Sequence, residues 1–114
     1  MEQEKVIKIL RAVLARQALP VEEKSMFQSL CFMVNDKMCI CTKPDHMLCR
    51  IGKDQVNLEI EKGGGRAVIM KDRTVKDFIF VDHESIQTAE DLYYWIRLCL
   101  QFNPLAKSSR KNNL

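Results

Sequence analysis

No apolar run in this 114-residue chain approaches the roughly 20 residues that a membrane-spanning helix requires. The opening stretch, MEQEKVIKILRAVLARQ, scatters acids and bases through its apolar positions. It therefore lacks the uncharged core and small-residue cleavage site of a secretory signal. Glycine is scarce: there are four, and Gly63, Gly64 and Gly65 stand together with no Lys-Ser/Thr behind them. No dinucleotide fingerprint leads into a helix either, so both common glycine-rich phosphate loops are excluded. Cys-x2–4-Cys knuckles are also missing. The five cysteines include only the tighter spacing Cys39-x-Cys41, and an odd count with no even framework points to a reducing cytoplasm.

What is present suits one domain: 46% hydrophobic and 29% charged residues over a length typical of a single core. A chain of this size buries roughly two thirds of its unfolded surface and needs no disulfide or metal staple. The net charge of +3 resides in the C-terminus, KSSRKNNL. Without Lys107, Arg110 and Lys111 the 18 basic residues fall to 15, matching the 15 acids. Residues 1–106 are thus expected to form a single neutral domain, followed by a basic, disordered tail at 107–114. A neutral fold argues against a nucleic-acid interface on the folded domain.

The hydrophobic pattern gives the elements. Val6, Ile7, Leu10, Val13 and Leu14 make one stripe of a helix over 3–17, stopped by Pro20. Residues 26–34, 37–43 and 46–51 read as three strands joined by turns at Asn35-Asp36 and Pro44-Asp45. Residues 53–62 alternate like a strand at Val56, Leu58 and Ile60, but Asp54 and Gly63 supply a helix start and stop. RAVIM at 66–70 and FIFVD at 78–82 are strands. Thr88 and Asp91 open a last helix in capping-box spacing, with Leu92, Trp95, Ile96, Cys99 and Leu100 on one face. No internal repeat and no domain linker is visible.

Pairing across Asn35-Asp36 and Pro44-Asp45 assigns side chains to two sheet faces. The first collects Phe27, Cys31, Met33, Met38, Ile40, Met47, Cys49 and Ile51. The second has an apolar centre of Leu30, Phe32, Cys39, Cys41 and Leu48, with Gln28, Lys37, Lys43, His46 and Arg50 toward its rim. That centre is too apolar to face water, so a partner subunit or another segment of the chain is expected to cover it. It is the candidate interaction face.

The sulfurs raise the question of chemistry. Cys39, Cys41, His46 and Cys49 resemble a zinc set only superficially. Cys39 and Cys41 should lie about 6.5 Å apart along one strand, with Cys49 on the other face. Cys31 and Cys49 fall about two strand spacings apart, roughly 9.5 Å, too far for a disulfide. No cysteine has a neighbouring cation or helix N-terminus in sequence to activate it. On this reading the thiols are small apolar filler. Thiols converged on an ion, or bonded to each other, would contradict it. His46 and His83 each follow an aspartate, but no nucleophile is placed beside either. Glu59, Glu61 and Lys62 read as a solvated face. Tyr94 lies off the apolar stripe of the last helix, and Trp95 belongs to it.

The succession of a leading helix, SMFQSLCFMVNDKMCI, LCRIG, RTVKDFIFVD and DLYYWIRLCLQF resembles the N-terminal domain of the competence regulators TfoX and Sxy, and bacterial proteins made of that domain alone. The likeness spans about residues 20–107 and rests on Met26-Phe27, Lys37-Met38-Cys39, Lys76, Leu92 and Trp95. The family usually has Met-Phe-Gly-Gly where Gln28 and Ser29 stand here, and often Met-Lys-Gly where Val75, Lys76 and Asp77 stand. The resemblance implies an α+β fold: two layers, an antiparallel sheet of about five strands with N- and C-terminal helices packed on it, in the order α-β-β-β-α-β-β-α. It implies a helix at 53–62 and no catalytic residues, cofactor or metal. The full-length regulators carry a further helical C-terminal domain that this sequence is not expected to include, so a DNA-directed role resting on that domain is not expected to transfer.

The expected function is a non-enzymatic cytoplasmic regulatory module working through protein contacts. Its expected partners are a second copy in a homodimer and an unidentified protein, with no membrane. The rival is a small metal- or redox-responsive protein using Cys39, Cys41 and His46.

Overall fold

A computed structural model describes residues 1–107. The basic tail expected from residue 107 therefore lies, beyond Lys107, outside the described residues. The chain runs through α1 (Gln3–Ala15), β1 (Val21–Met26), β2 (Ser29–Val34), β3 (Lys37–Thr42), β4 (His46–Arg50), α2 (Lys53–Glu61), β5 (Arg66–Met70), β6 (Arg73–Asp82) and α3 (Ala89–Phe102). Short 3-10 turns follow β6 at His83–Ser85 and α3 at Asn103–Leu105. The six strands form one antiparallel sheet in the order β1-β2-β3-β4-β6-β5. Among the described residues no helix is long and apolar enough to cross a membrane.

The α+β class holds, with one strand more than expected. The stretch read as a single strand over 26–34 turns back at Phe27-Gln28, and the preceding residues, VEEKSM, form β1. Nothing in that polar stretch alternates, so its strand character comes from pairing with β2 alone. Three hairpin turns, Phe27-Gln28, Asn35-Asp36 and Lys71-Asp72, place both central residues at positive φ. That is the turn whose twist matches two antiparallel strands. Asn35-Asp36 uses residues suited to it; Phe27, at φ 35°, is an aromatic residue in a region that disfavours bulk.

α1 buries Val6, Leu10 and Leu14, one stripe at fourfold spacing. α3 buries Leu92, Trp95, Ile96 and Cys99, and the two helices pack on the same side of the sheet. Thr88 and Asp91 close the capping box: the Asp91 amide donates to Thr88 Oγ1, and Asp91 Oδ2 accepts from the Thr88 and Gln87 amides. These backbone donors hold the Asp91 carboxyl below its usual range.

Residues 53–62 settle as helix α2, with Val56 buried and Leu58 and Ile60 exposed. The tight entry needs Gly52 at φ 90°, where a Cβ would also strike the Phe102 ring. The exit needs Gly65, where a Cβ would stand 2.5 Å from the Phe80 carbonyl oxygen. Glu59, expected at a solvated face, is instead buried and clamps α2 to α3. Its Oε2 accepts from the Tyr94 hydroxyl at 2.5 Å and from Gln55 Nε2 at 2.8 Å, with Lys62 Nζ 3.5 Å away.

Asn103, just past α3, closes the sheet against the last helix. Buried, its side chain donates to the Val34 carbonyl and accepts from Asn35, while the Asn103 backbone carbonyl accepts from Lys37 Nζ.

Candidate functional site

The sulfur-rich ribbon is where sequence and structure part. Next to the Asn35-Asp36 turn the pairs are those expected, Val34 with Lys37 and Met33 with Met38. One step further the register slips, and Phe32 pairs with Ile40, Cys31 with Cys41 and Leu30 with Thr42. Cys39 is thus an extra residue on β3, a β-bulge. Because the side-chain period is two, one extra residue exchanges faces along the rest of the pairing.

The expected interaction face therefore does not exist as one surface. Leu30, Phe32 and Cys39 turn toward the helices and join the main core with Ile40, Met47, Cys49 and Ile51. Cys41 and Leu48 remain on the opposite face, where Cys31 joins them. The apolar centre of that second face is covered by the chain's own β5 and β6, through Val68, Val75, Phe78 and Phe80. Assigning Cys31, Met33 and Met38 to the helix-facing side is corrected by the same slip.

Two sulfur groups result, one on each side of the sheet. Cys31 and Cys41 form a disulfide linking β2 to β3. Counting from the Phe27-Gln28 turn, Lys24 and Cys31 form a hydrogen-bonded pair, so Cys31 meets Cys41 in the alternate kind, where side chains approach closest. The bond contradicts the filler reading for these two thiols. Counting pairs from the Asn35-Asp36 turn places Cys31 opposite Ile40; adding one bulged residue places it opposite Cys41.

Cys39, Cys49 and Cys99 are free and buried. The Cys39 thiol is pushed up by its hydrogen bond with Cys99 and by burial, and Cys99 by burial above all. Neither can be an appreciable thiolate near neutral pH, so both behave as small apolar groups. The rival set of Cys39, Cys41 and His46 is split across the sheet. Among the described residues no cluster of three or more His, Cys, Asp or Glu side chains is placed to hold a metal.

His46 Nδ1 lies 2.6 Å from Asp45 Oδ1, and its ring stands edge-on to Phe80. The contact with His46 holds Asp45 below its usual range. His83 is buried, and among the described residues neither ring nitrogen has a hydrogen-bond partner. Burial lowers its pKa, opposed by the Pro44 carbonyl. Among the described residues neither histidine is hydrogen-bonded to a serine, threonine or cysteine side chain. Arg50 and Arg66 lie over the Phe78 and Phe80 rings, ingredients of a base-stacking platform, but Asp77 and Asp82 neutralise them.

The most accessible feature is β1. All six of its residues are exposed, and it forms one edge of the sheet. Its tip carries Met26 and Phe27, the latter 98% exposed. β1 is held to the body by Glu23, which receives both the Nε and a terminal nitrogen of Arg11 at 2.8 Å. Sequence reasoning missed this edge because it read residues 20–25 as having no element.

The family profile of the TfoX N-terminal domain matches residues 13–103, from α1 through Asn103. The chain belongs to the TfoX N-terminal domain family. No curated protein and no solved structure matches it significantly. For this TfoX N-terminal domain the match covers the whole sheet, α2, α3 and the end of α1, so the bulge and the β1 edge both lie within the family's extent. The Met-Phe-Gly-Gly segment usual in the family corresponds here to the β1–β2 turn, where Gln28 and Ser29 replace the glycines.

Proposed function

We propose that this TfoX N-terminal domain is a non-enzymatic, cytoplasmic regulatory module that acts through protein contacts and self-associates along β1. The exposed edge strand carries the reading. A strand open on both faces with an unpaired row of amides and carbonyls is a template for a further strand. At the opposite edge the β5–β6 ladder shifts register between Ala67 and Val68, with residues 76–78 of β6 left without a β5 partner.

Hairpin geometry fixes which groups point outward. Glu22, Lys24 and Met26 bond to β2, so Val21, Glu23 and Ser25 present their backbone groups to the outside. Two copies related by a twofold axis through Glu23 would pair Glu22 of each with Lys24 of the other. The two Glu23 side chains, facing each other, are each neutralised by Arg11.

Sedimentation equilibrium across protein concentration tests this. A concentration-dependent dimer is expected, weakened at least tenfold by Lys24→Glu and restored in the double variant Glu22→Lys/Lys24→Glu. A monomer at every concentration would sink the self-association.

A second reading, a redox-responsive module, is favoured by the Cys31–Cys41 bond. Alkylation of unfolded protein, prepared without reductant, should label three thiols, rising to five after reduction. Five from the outset would remove this reading and leave the first untouched.

A further inference from the structure

The groove between α1 and α3 lies on the helical side of the molecule. Val13, Ile96 and Leu100 supply its apolar part, with the half-exposed ring of Tyr93. It is an open trough of about 590 Å3, within the roughly 300–1,000 Å3 of ligand clefts. Arg16 from α1's C-terminal cap and Arg97 from α3 line it from the two sides, together with Gln17 and Gln101. Among the described residues no carboxylate lines this groove and neither Arg16 nor Arg97 forms an ion pair. Arg11, by contrast, is satisfied by Glu23.

We infer that the α1–α3 groove is a docking site for an acidic amphipathic helix of a partner protein. Two neighbouring helices on one sheet face leave a trough of the shape that a third helix fills, ridges into grooves. Helix-in-groove recognition places apolar anchors at i, i+3 or i+4, and i+7 on such a floor. The two guanidiniums select the charge. Each can take a carboxylate in a forked pair, and together they repel a basic segment. That excludes the chain's own C-terminus, whose Lys107, Arg110 and Lys111 carry the wrong sign. Self-association uses other groups, the outward backbone of β1 and Glu23 held by Arg11.

The test is a selection from a displayed library of helix-biased 16-residue peptides, randomised in charge and in apolar spacing, against the whole protein. Enriched peptides are expected to carry apolar residues at helical spacing with Asp or Glu flanking them. Their binding should weaken at least tenfold in the Arg16→Glu/Arg97→Glu variant and with added salt. Peptides with Lys or Arg in place of those acids should regain binding to that variant. Both arginines are exposed, so the variant should keep the parent's circular dichroism and Tm. No enrichment, enrichment without acidic residues, or binding indifferent to the double variant would each overturn the proposal. The Lys24→Glu variant should bind the selected peptides unchanged; loss there would assign them to β1 instead.

Discussion

Asn103 shows how much one side chain can hold. Its amide satisfies the Val34 carbonyl and Asn35 at once, in a buried position between the β2–β3 turn and the end of α3. Asn103→Ala leaves a buried carbonyl without its donor, and a loss on the order of 1–3 kcal/mol is expected in urea denaturation. His83 is the residue that should couple stability to pH. Burial holds its folded pKa below the ordinary 6.5, with the N-terminal ammonium and His46 acting in the same sense and Asp45 and Pro44 against it. The unfolded chain therefore takes up the proton first. The stability is fully present above the unfolded pKa and is lost as pH falls from there through the folded value. Tm measured from pH 7.5 down to 5 should fall, and His83→Phe should flatten that fall.

Among the elements, α3 is the best specified. Its capping box, apolar stripe and end before Pro104 were all legible because each depends only on nearby residues. Thr88→Ala should cost about 1 kcal/mol, read as a drop in Tm. The pairing of α2 with α3 was not legible, since a buried glutamate gives no periodic signal. Tyr94→Phe removes one of the donors to Glu59, and a destabilisation of roughly 1–2 kcal/mol is expected, with the fold retained. Glu59→Ala should cost more, leaving Tyr94 and Gln55 both without an acceptor. The helix at 53–62 shows local signals in competition. Val56, Leu58 and Ile60 alternate, yet only Val56 is buried, and Gly52 and Gly63 set the boundaries instead.

For the whole molecule, the two terminal helices and two of the sheet's five ladders, those across Asn35-Asp36 and Pro44-Asp45, follow from hydrophobic spacing and turns, while the α+β class and the helix at 53–62 came with the family resemblance. Which side of the sheet each β2 side chain occupies does not, because it depends on one unpaired residue, Cys39, that no turn residue announces. β1 was invisible for a related reason: a polar strand exposed on both faces carries no burial pattern. If β1 pairs with a second copy, folding and association are linked, and Tm should rise with protein concentration. Ser25→Pro, which removes an outward amide while sparing the bonds to β2, should abolish that rise.

The bulge at Cys39 also constrains how this chain can change over generations. A single-codon insertion or deletion between Phe32 and Ile40 would turn the core-facing half of β2 to the other layer, as a frameshift does to a reading frame. Orthologues should therefore keep this segment at constant length, whatever substitutions it accumulates. Length polymorphism should gather instead at the α1–β1 connection, where no ladder has to stay in step.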